Sequence, residues 1–227
     1  MEMTMHNIKK GFGIAFMFGL TAVLTGCGES SDELDDKLNH DVKITLVNSL
    51  DYMVDFHVKK RSISTGYSGL FDSDKIASKD IPSNSVANTY NYSYKVTNNM
   101  VNFGVRDSIN ADKEDRMTTT LSKNDNLWVI AWEASGDREL SVVDKKQSNN
   151  ADVFNVRLFA NGNYAVSVDG NHVLNTEKGK VTTYLKVANC ANGLKVADKA
   201  IDLCTGDFAK SYLLVVDNSG KRVMAEE

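Results

Sequence analysis

The sequence predicts an all-β protein built as two antiparallel β-sandwich units in tandem, following a signal segment and a flexible tether. Three observations predict it. Apolar and polar residues alternate with period two along most of the chain after residue 41. Glycine- and asparagine-containing turn dipeptides separate the alternating runs. The opening runs recur 112 positions downstream. Alternation of this kind marks strands with one face buried, and a fixed offset marks an internal repeat. The expected organisation is a signal over 1–26, an acidic tether over 27–41, a first unit over 42–146 and a second, shorter unit over 152–227.

The N-terminal segment comes first. Lys9 and Lys10 precede an uncharged, mostly apolar stretch from Gly11 to Val23. That stretch is shorter than the ~20 residues a bilayer span requires. A positive start, a short apolar core and small residues after it form a secretory signal. The residues that follow, Leu24-Thr25-Gly26-Cys27, closely resemble the lipobox of bacterial lipoproteins. The resemblance implies cleavage before Cys27 and acylation of its thiol, so that the membrane is a partner through a lipid anchor on Cys27. Gly28 stands where an aspartate resembles the inner-membrane retention signal of enterobacterial-type lipoproteins. The resemblance therefore favours a cell-envelope, outer-membrane location.

Charge is distributed unevenly. Residues 28–41 carry Glu29, Asp32, Glu33, Asp35, Asp36 and Asp41 against Lys37. From Val42 onward, 23 acidic residues face 23 basic ones. The body is formally neutral, which excludes nucleic-acid binding through a basic surface. The acidic stretch reads as a self-repelling tether. A single proline, Pro82, excludes a proline-rich stalk.

In the first unit, Val42, Ile44 and Leu46 alternate with Lys43 and Thr45, and Tyr90, Tyr92, Tyr94 and Val96 alternate with Asn91, Ser93 and Lys95. Trp128, Ile130 and Trp132 share one face of a run in which Val129 and Ala131 are apolar as well. In the second unit, Val166 and Val168 flank Ser167, and Asp169-Gly170 predicts a hairpin. Further turns are expected at Asn98-Asn99, Ser135-Gly136, Asn161-Gly162, Asn192-Gly193 and Ser219-Gly220. Helical periodicity is weak after the signal; its best candidate is a short turn within Val196–Leu203.

The 112-residue offset places Val42, Ile44 and Leu46 on Phe154, Val156 and Leu158, and Tyr52, Val54 and Phe56 on Tyr164, Val166 and Val168. A second offset, of 84, places Trp128, Ser135, Gly136 and Arg138 on Tyr212, Ser219, Gly220 and Arg222. Both hold if the first unit has a longer middle.

Ile44-Thr45-Leu46-Val47-Asn48-Ser49, followed by Val54-Asp55-Phe56-His57-Val58, resembles the opening two strands of a bacterial envelope domain of unknown function. Its immunoglobulin-like β-sandwich repeats often stand in tandem on lipoproteins. The resemblance implies two immunoglobulin-like units here. It carries no catalytic residues, and the prolines usual in the intervening turn are absent from Leu50-Asp51-Tyr52.

Among possible sites, Cys190 and Cys204 form an even pair in an exported domain, which predicts a disulfide. His6, His40, His57 and His172 show no metal-ligand spacing. Asn110, Asp112, Glu114 and Asp115 lack the glycine and distal glutamate of a calcium loop. No metal and no cofactor are expected. Phosphate-loop, dinucleotide and serine-hydrolase motifs are missing, so no catalytic residue is assigned.

The functional expectation is a non-catalytic envelope binding or scaffold module, with an envelope protein or a glycan as partner. The alternative is an envelope hydrolase acting on a cell-wall or surface polymer, with Asp107, Asp112 or Glu114 in a cleft. Partner contacts are expected on the extra middle of the first unit, Arg61 to Asn91, and on the polar loop Asp107 to Asn126. Tyr67, Phe71 and Tyr90 supply aromatic area there. The competing reading is that these three aromatics pin the extra segment to the sandwich.

Overall fold

The computed structural model describes residues 38–227. The signal, Cys27 and most of the tether lie outside the described residues. The first unit runs through β1 (Asn39–Asn48), β2 (Val54–Lys60), β3 (Ile76–Ile81), β4 (Ser85–Lys95), β5 (Met100–Asp107), β6 (Glu114–Thr120), β7 (Asn126–Ala134) and β8 (Asp137–Asp144). The second runs through β9 (Phe154–Ala160), β10 (Ala165–Val168), β11 (Asn171–Asn175), β12 (Leu185–Val187), β13 (Leu194–Val196), β14 (Lys199–Ala200), β15 (Ser211–Asp217) and β16 (Gly220–Glu226). A 3₁₀ turn, Ser73–Lys75, lies between β2 and β3. Among the described residues no helix is long and apolar enough to cross a membrane.

Each unit is a pair of four-stranded sheets, and the two units repeat the same order. The sheets β4-β1-β7-β8 and β3-β2-β5-β6 of the first unit correspond to β12-β9-β15-β16 and β11-β10-β13-β14 of the second. Val42, Ile44 and Leu46 meet Val54, Phe56, Val101, Phe103 and Val105 in the first core. Phe154, Val156 and Leu158 meet Val166, Leu194 and Val196 in the second. The 112-residue offset therefore joins equivalent strands and equivalent faces.

The second offset needs correction. Thr45 pairs with Trp128 in the first unit, and its equivalent Arg157 pairs with Leu213 in the second. Trp128 is thus equivalent to Leu213, not to Tyr212, and the offset is 85. A slip of one residue turns every side chain to the opposite face. Trp128 and Leu213 belong to one cluster, whereas Tyr212 belongs to the second core. The dipeptides Ser135-Gly136 and Ser219-Gly220 suggested 84 because β15–β16 carries a register shift after Val215 that β7–β8 lacks.

Other expectations change in detail. The strand pairs are antiparallel except for one parallel pair in each unit, β1 with β7 and β9 with β15. A parallel pair needs a long crossover, and the second sheet of each unit provides it. Strand β1 begins inside the expected tether: Asn39, His40 and Asp41 pair with Lys95, Tyr94 and Ser93 of the long β4. The loop expected over Asp107–Asn126 contains β6, whose Met117 packs on the first core and whose Thr118, Thr119 and Thr120 suit a strand. The helical turn expected within Val196–Leu203 is a hairpin. Ala197 and Asp198 hold left-handed φ values of 48° and 61°, which a right-handed helix does not admit. The expected Asp169-Gly170 hairpin is present, with φ of 49° and 81°. The turn expected at Asn98-Asn99 leads from β4 to β5 in the other sheet, with the Asn98 N–H donating to the Lys95 carbonyl.

A third apolar cluster fuses the units. Val47, Trp128, Ile130 and Trp132 from the outer side of β4-β1-β7-β8 pack with Phe159, Leu213, Val215 and Val223 of the second unit. Strands β7, β9 and β15 are buried on both faces, and their near-continuous apolar sequence follows from that.

Candidate functional site

The segment between β2 and β3 crosses the outer face of β3-β2-β5-β6 as a strap. Val54, Phe56 and Val58 of β2 turn to the first core, so Asp55, His57 and Lys59 turn outward, the last two beneath the strap. The Lys59 ammonium donates to the Ser68 carbonyl. The Asn102 amide donates to the Gly66 carbonyl at 2.8 Å. Thr118 Oγ1 lies 2.9 Å from the Tyr67 hydroxyl and 2.7 Å from Asn102 Oδ1, and accepts from Arg61 at 2.7 Å. Leu70 is fully buried. Phe71 packs edge-on against His57 with ring centroids 5.0 Å apart, and the Arg106 guanidinium lies 4.3 Å above its ring. Gly104 allows this approach: a Cβ there would stand 2.8 Å from Phe71 and 3.0 Å from Leu70.

The structure does not bring Tyr67, Phe71 and Tyr90 together on one sheet. Tyr67 and Phe71 are half-buried anchors of the strap. Tyr90 lies on β4, in the other sheet, and packs with Tyr92 and Tyr94 toward the first core. All three contribute packing.

His57 is buried, and among the described residues neither of its ring nitrogens has a hydrogen-bond partner in good geometry. Burial lowers its pKa, and the nearby Arg106 charge lowers it further; Asp55, Glu114 and the Asp72 backbone act weakly in the opposite direction. From the sequence His57 reads as a solvent-facing strand histidine; the structure corrects this, because the strap covers that face of β2 and leaves His57 2 % exposed.

The carboxylates considered for a hydrolase are engaged separately. Asp107 Oδ1 accepts the backbone N–H groups of Ile109 at 2.8 Å and Asn110 at 2.9 Å, and the Asn110 bond is the main reason its pKa is lowered. Glu114 pairs with Arg106 at 2.7 Å. Asp112 is exposed in the β5–β6 turn. Among the described residues no group of three His, Cys, Asp or Glu side chains could hold a metal ion.

A polar network at the unit junction has no counterpart in the sequence reading. Arg157 and Glu227 form an ion pair whose side chains are 3 % and 0 % exposed. Arg157 Nε lies 3.0 Å from Glu227 Oε2, and Nη2 also donates to the Asp144 carbonyl at 2.7 Å. The Glu227 carboxylate further accepts from Tyr184 at 2.7 Å, from Trp128 Nε1 at 3.2 Å and from the Lys146 N–H at 3.2 Å. Burial, followed by the bond to Glu227, pushes the Tyr184 phenol up to about 12. Lys145 sits 3.7 Å above the Trp128 ring, and burial lowers its pKa. The available signal was a charged residue, Arg157, inside the mostly apolar run Phe154–Ala160. At the opposite end of the junction, Arg222 pairs with Asp51, and the Asn161 amide donates to the Glu133 carbonyl at 2.9 Å.

Cys190 and Cys204 form the expected disulfide, with Cα atoms 4.8 Å apart. It closes a loop that carries the β13–β14 hairpin. An open groove of about 720 Å³ runs over the outer side of β4 and β1 and is lined by Asp41, Lys43, Asn91, Ser93, Asn124 and Asn126. Val42 also lines it, so that the groove mixes polar side chains with apolar surface.

No protein-family model matches the chain, and no curated protein matches it either.

Proposed function

We propose that the protein is an envelope lipoprotein, anchored in the outer membrane through Cys27, whose body is a non-catalytic binding or scaffold module for an envelope protein or a glycan. The observation that carries this reading is the fusion of the two sandwiches. The apolar cluster around Trp128, Trp132 and Phe159, with Arg157–Glu227 at one end and Arg222–Asp51 at the other, makes tandem domains into one stiff body. Sequential units with a small, wet interface move relative to one another by default. A buried apolar junction supports a fixed spacer or platform instead.

The proposal is tested by fractionation and by incubation with cell-wall polymer. The protein should enter the membrane fraction, and Cys27→Ala should release it to the soluble fraction. The purified body should leave isolated cell wall intact; release of soluble fragments would favour the hydrolase reading.

A further inference from the structure

The ends of the first unit differ in chemistry, and the chain emerges from one of them. That end is formed by the start of β1, the end of β4, the end of β2, the start of β5 and the β6–β7 turn. Asn39 pairs with Lys95, the Arg61 N–H donates to the Met100 carbonyl, and the Leu121 N–H donates to the Asn99 carbonyl. Four of the exposed large apolar side chains gather there: Leu38, Val96, Met100 and Ile63, the last 96 % exposed. The exposed lysines Lys60, Lys95 and Lys123 surround them, and Arg61 is half-buried among them. The opposite end carries exposed Asp51, Asp80, Asp112, Glu133 and Asp137. A formally neutral body is thus polarised along its strands.

Apolar side chains ringed by basic ones form the pattern of a surface that lies on anionic lipid headgroups. We infer that this end of the first unit docks on the anionic surface of the membrane that holds the anchor. The inference rests on the lipoprotein reading above. Between Cys27 and Leu38 the chain spans no more than about 40 Å even when fully extended. The anchor therefore confines the basic end near the bilayer, where a weak attraction becomes effective through high local concentration. The acidic end faces away, out of reach of like-charged lipid.

The test separates docking from natural acylation. The chain from Cys27 onward is coupled through the Cys27 thiol to a maleimide lipid, the other two cysteines being held in their disulfide. Amide hydrogen exchange is then read on vesicles of phosphatidylglycerol with phosphatidylethanolamine and on vesicles of phosphatidylcholine. On anionic vesicles, amides of 62–66 and 96–99 should exchange several-fold more slowly, and added salt should reverse the effect. Ile63→Asp should abolish the protection, and each of Lys60→Glu and Lys123→Glu should weaken it by about fivefold or more. Equal exchange on both vesicle types would overturn the docking. So would protection that survives Lys60→Glu/Lys123→Glu, or protection of these segments without vesicles that disappears when the chain starts at Leu38. That last result would make the acidic tether the occupant. Failure of acylation in cells would overturn the lipoprotein reading and leave these outcomes unchanged.

Discussion

Trp132 of the first unit packs edge-on against Phe159 of the second, with ring centroids 5.5 Å apart. Both rings lie on strands whose opposite faces belong to different cores, so one contact couples three layers of packing. The units should unfold together. Phe159→Ala leaves a cavity at this junction and should cost about 3–5 kcal/mol. Calorimetry should show one transition for the parent protein and a lower, broadened or divided one for the variant.

The buried ion pair gives a second expectation. Arg157→Met leaves the Glu227 carboxylate buried without its cation, which should cost about 3–5 kcal/mol. Arg157→Met/Glu227→Gln removes both charges and should recover much of that loss. Urea unfolding of the single and double variants measures the coupling. Equal stabilities for the two variants would mean that the pair contributes nothing specific.

His57 should make the strap sensitive to acid. Burial lowers its pKa in the folded protein, while the unfolded chain titrates near about 6.5. A base with a depressed folded pKa contributes stability in full above the unfolded value. That stability is lost as pH falls from there toward the folded pKa. Exchange of the amides in 61–72 should accelerate between neutral pH and mildly acidic pH, after correction for intrinsic rates. His57→Phe should flatten this dependence.

Gly104→Ala probes the strap sterically. The new methyl would stand 2.8 Å from Phe71, an overpacking that costs about 1–3 kcal/mol. Hydrogen exchange should show the loss concentrated in the strap, with the second unit unaffected.

Much of this architecture is legible in the chain. Alternation assigns faces, and the 112-residue offset pairs β1 with β9 and β2 with β10 on the correct faces. The apolar neighbours of Trp128 already mark a strand without a solvent face. The rest depends on pairings that local sequence does not encode. A slip between 84 and 85 inverts β15, and only its partner β9 settles the register. Tyr67 and Phe71 have the composition of a recognition loop and the contacts of a strap, because the distant Thr118 bonds the Tyr67 hydroxyl and the distant Gly104 leaves room for Phe71. Arg157 stands out as a charge in an apolar strand, but its partner Glu227 lies 70 positions away.

The most direct measurement is the mass of the N-terminal peptide from protein extracted from the membranes of a host that processes lipoproteins. The account predicts a peptide that begins at Cys27 and carries a diacylglyceryl group, with a further acyl chain on the amine where the host adds one. An unmodified Cys27, or a mature chain beginning elsewhere, would contradict it.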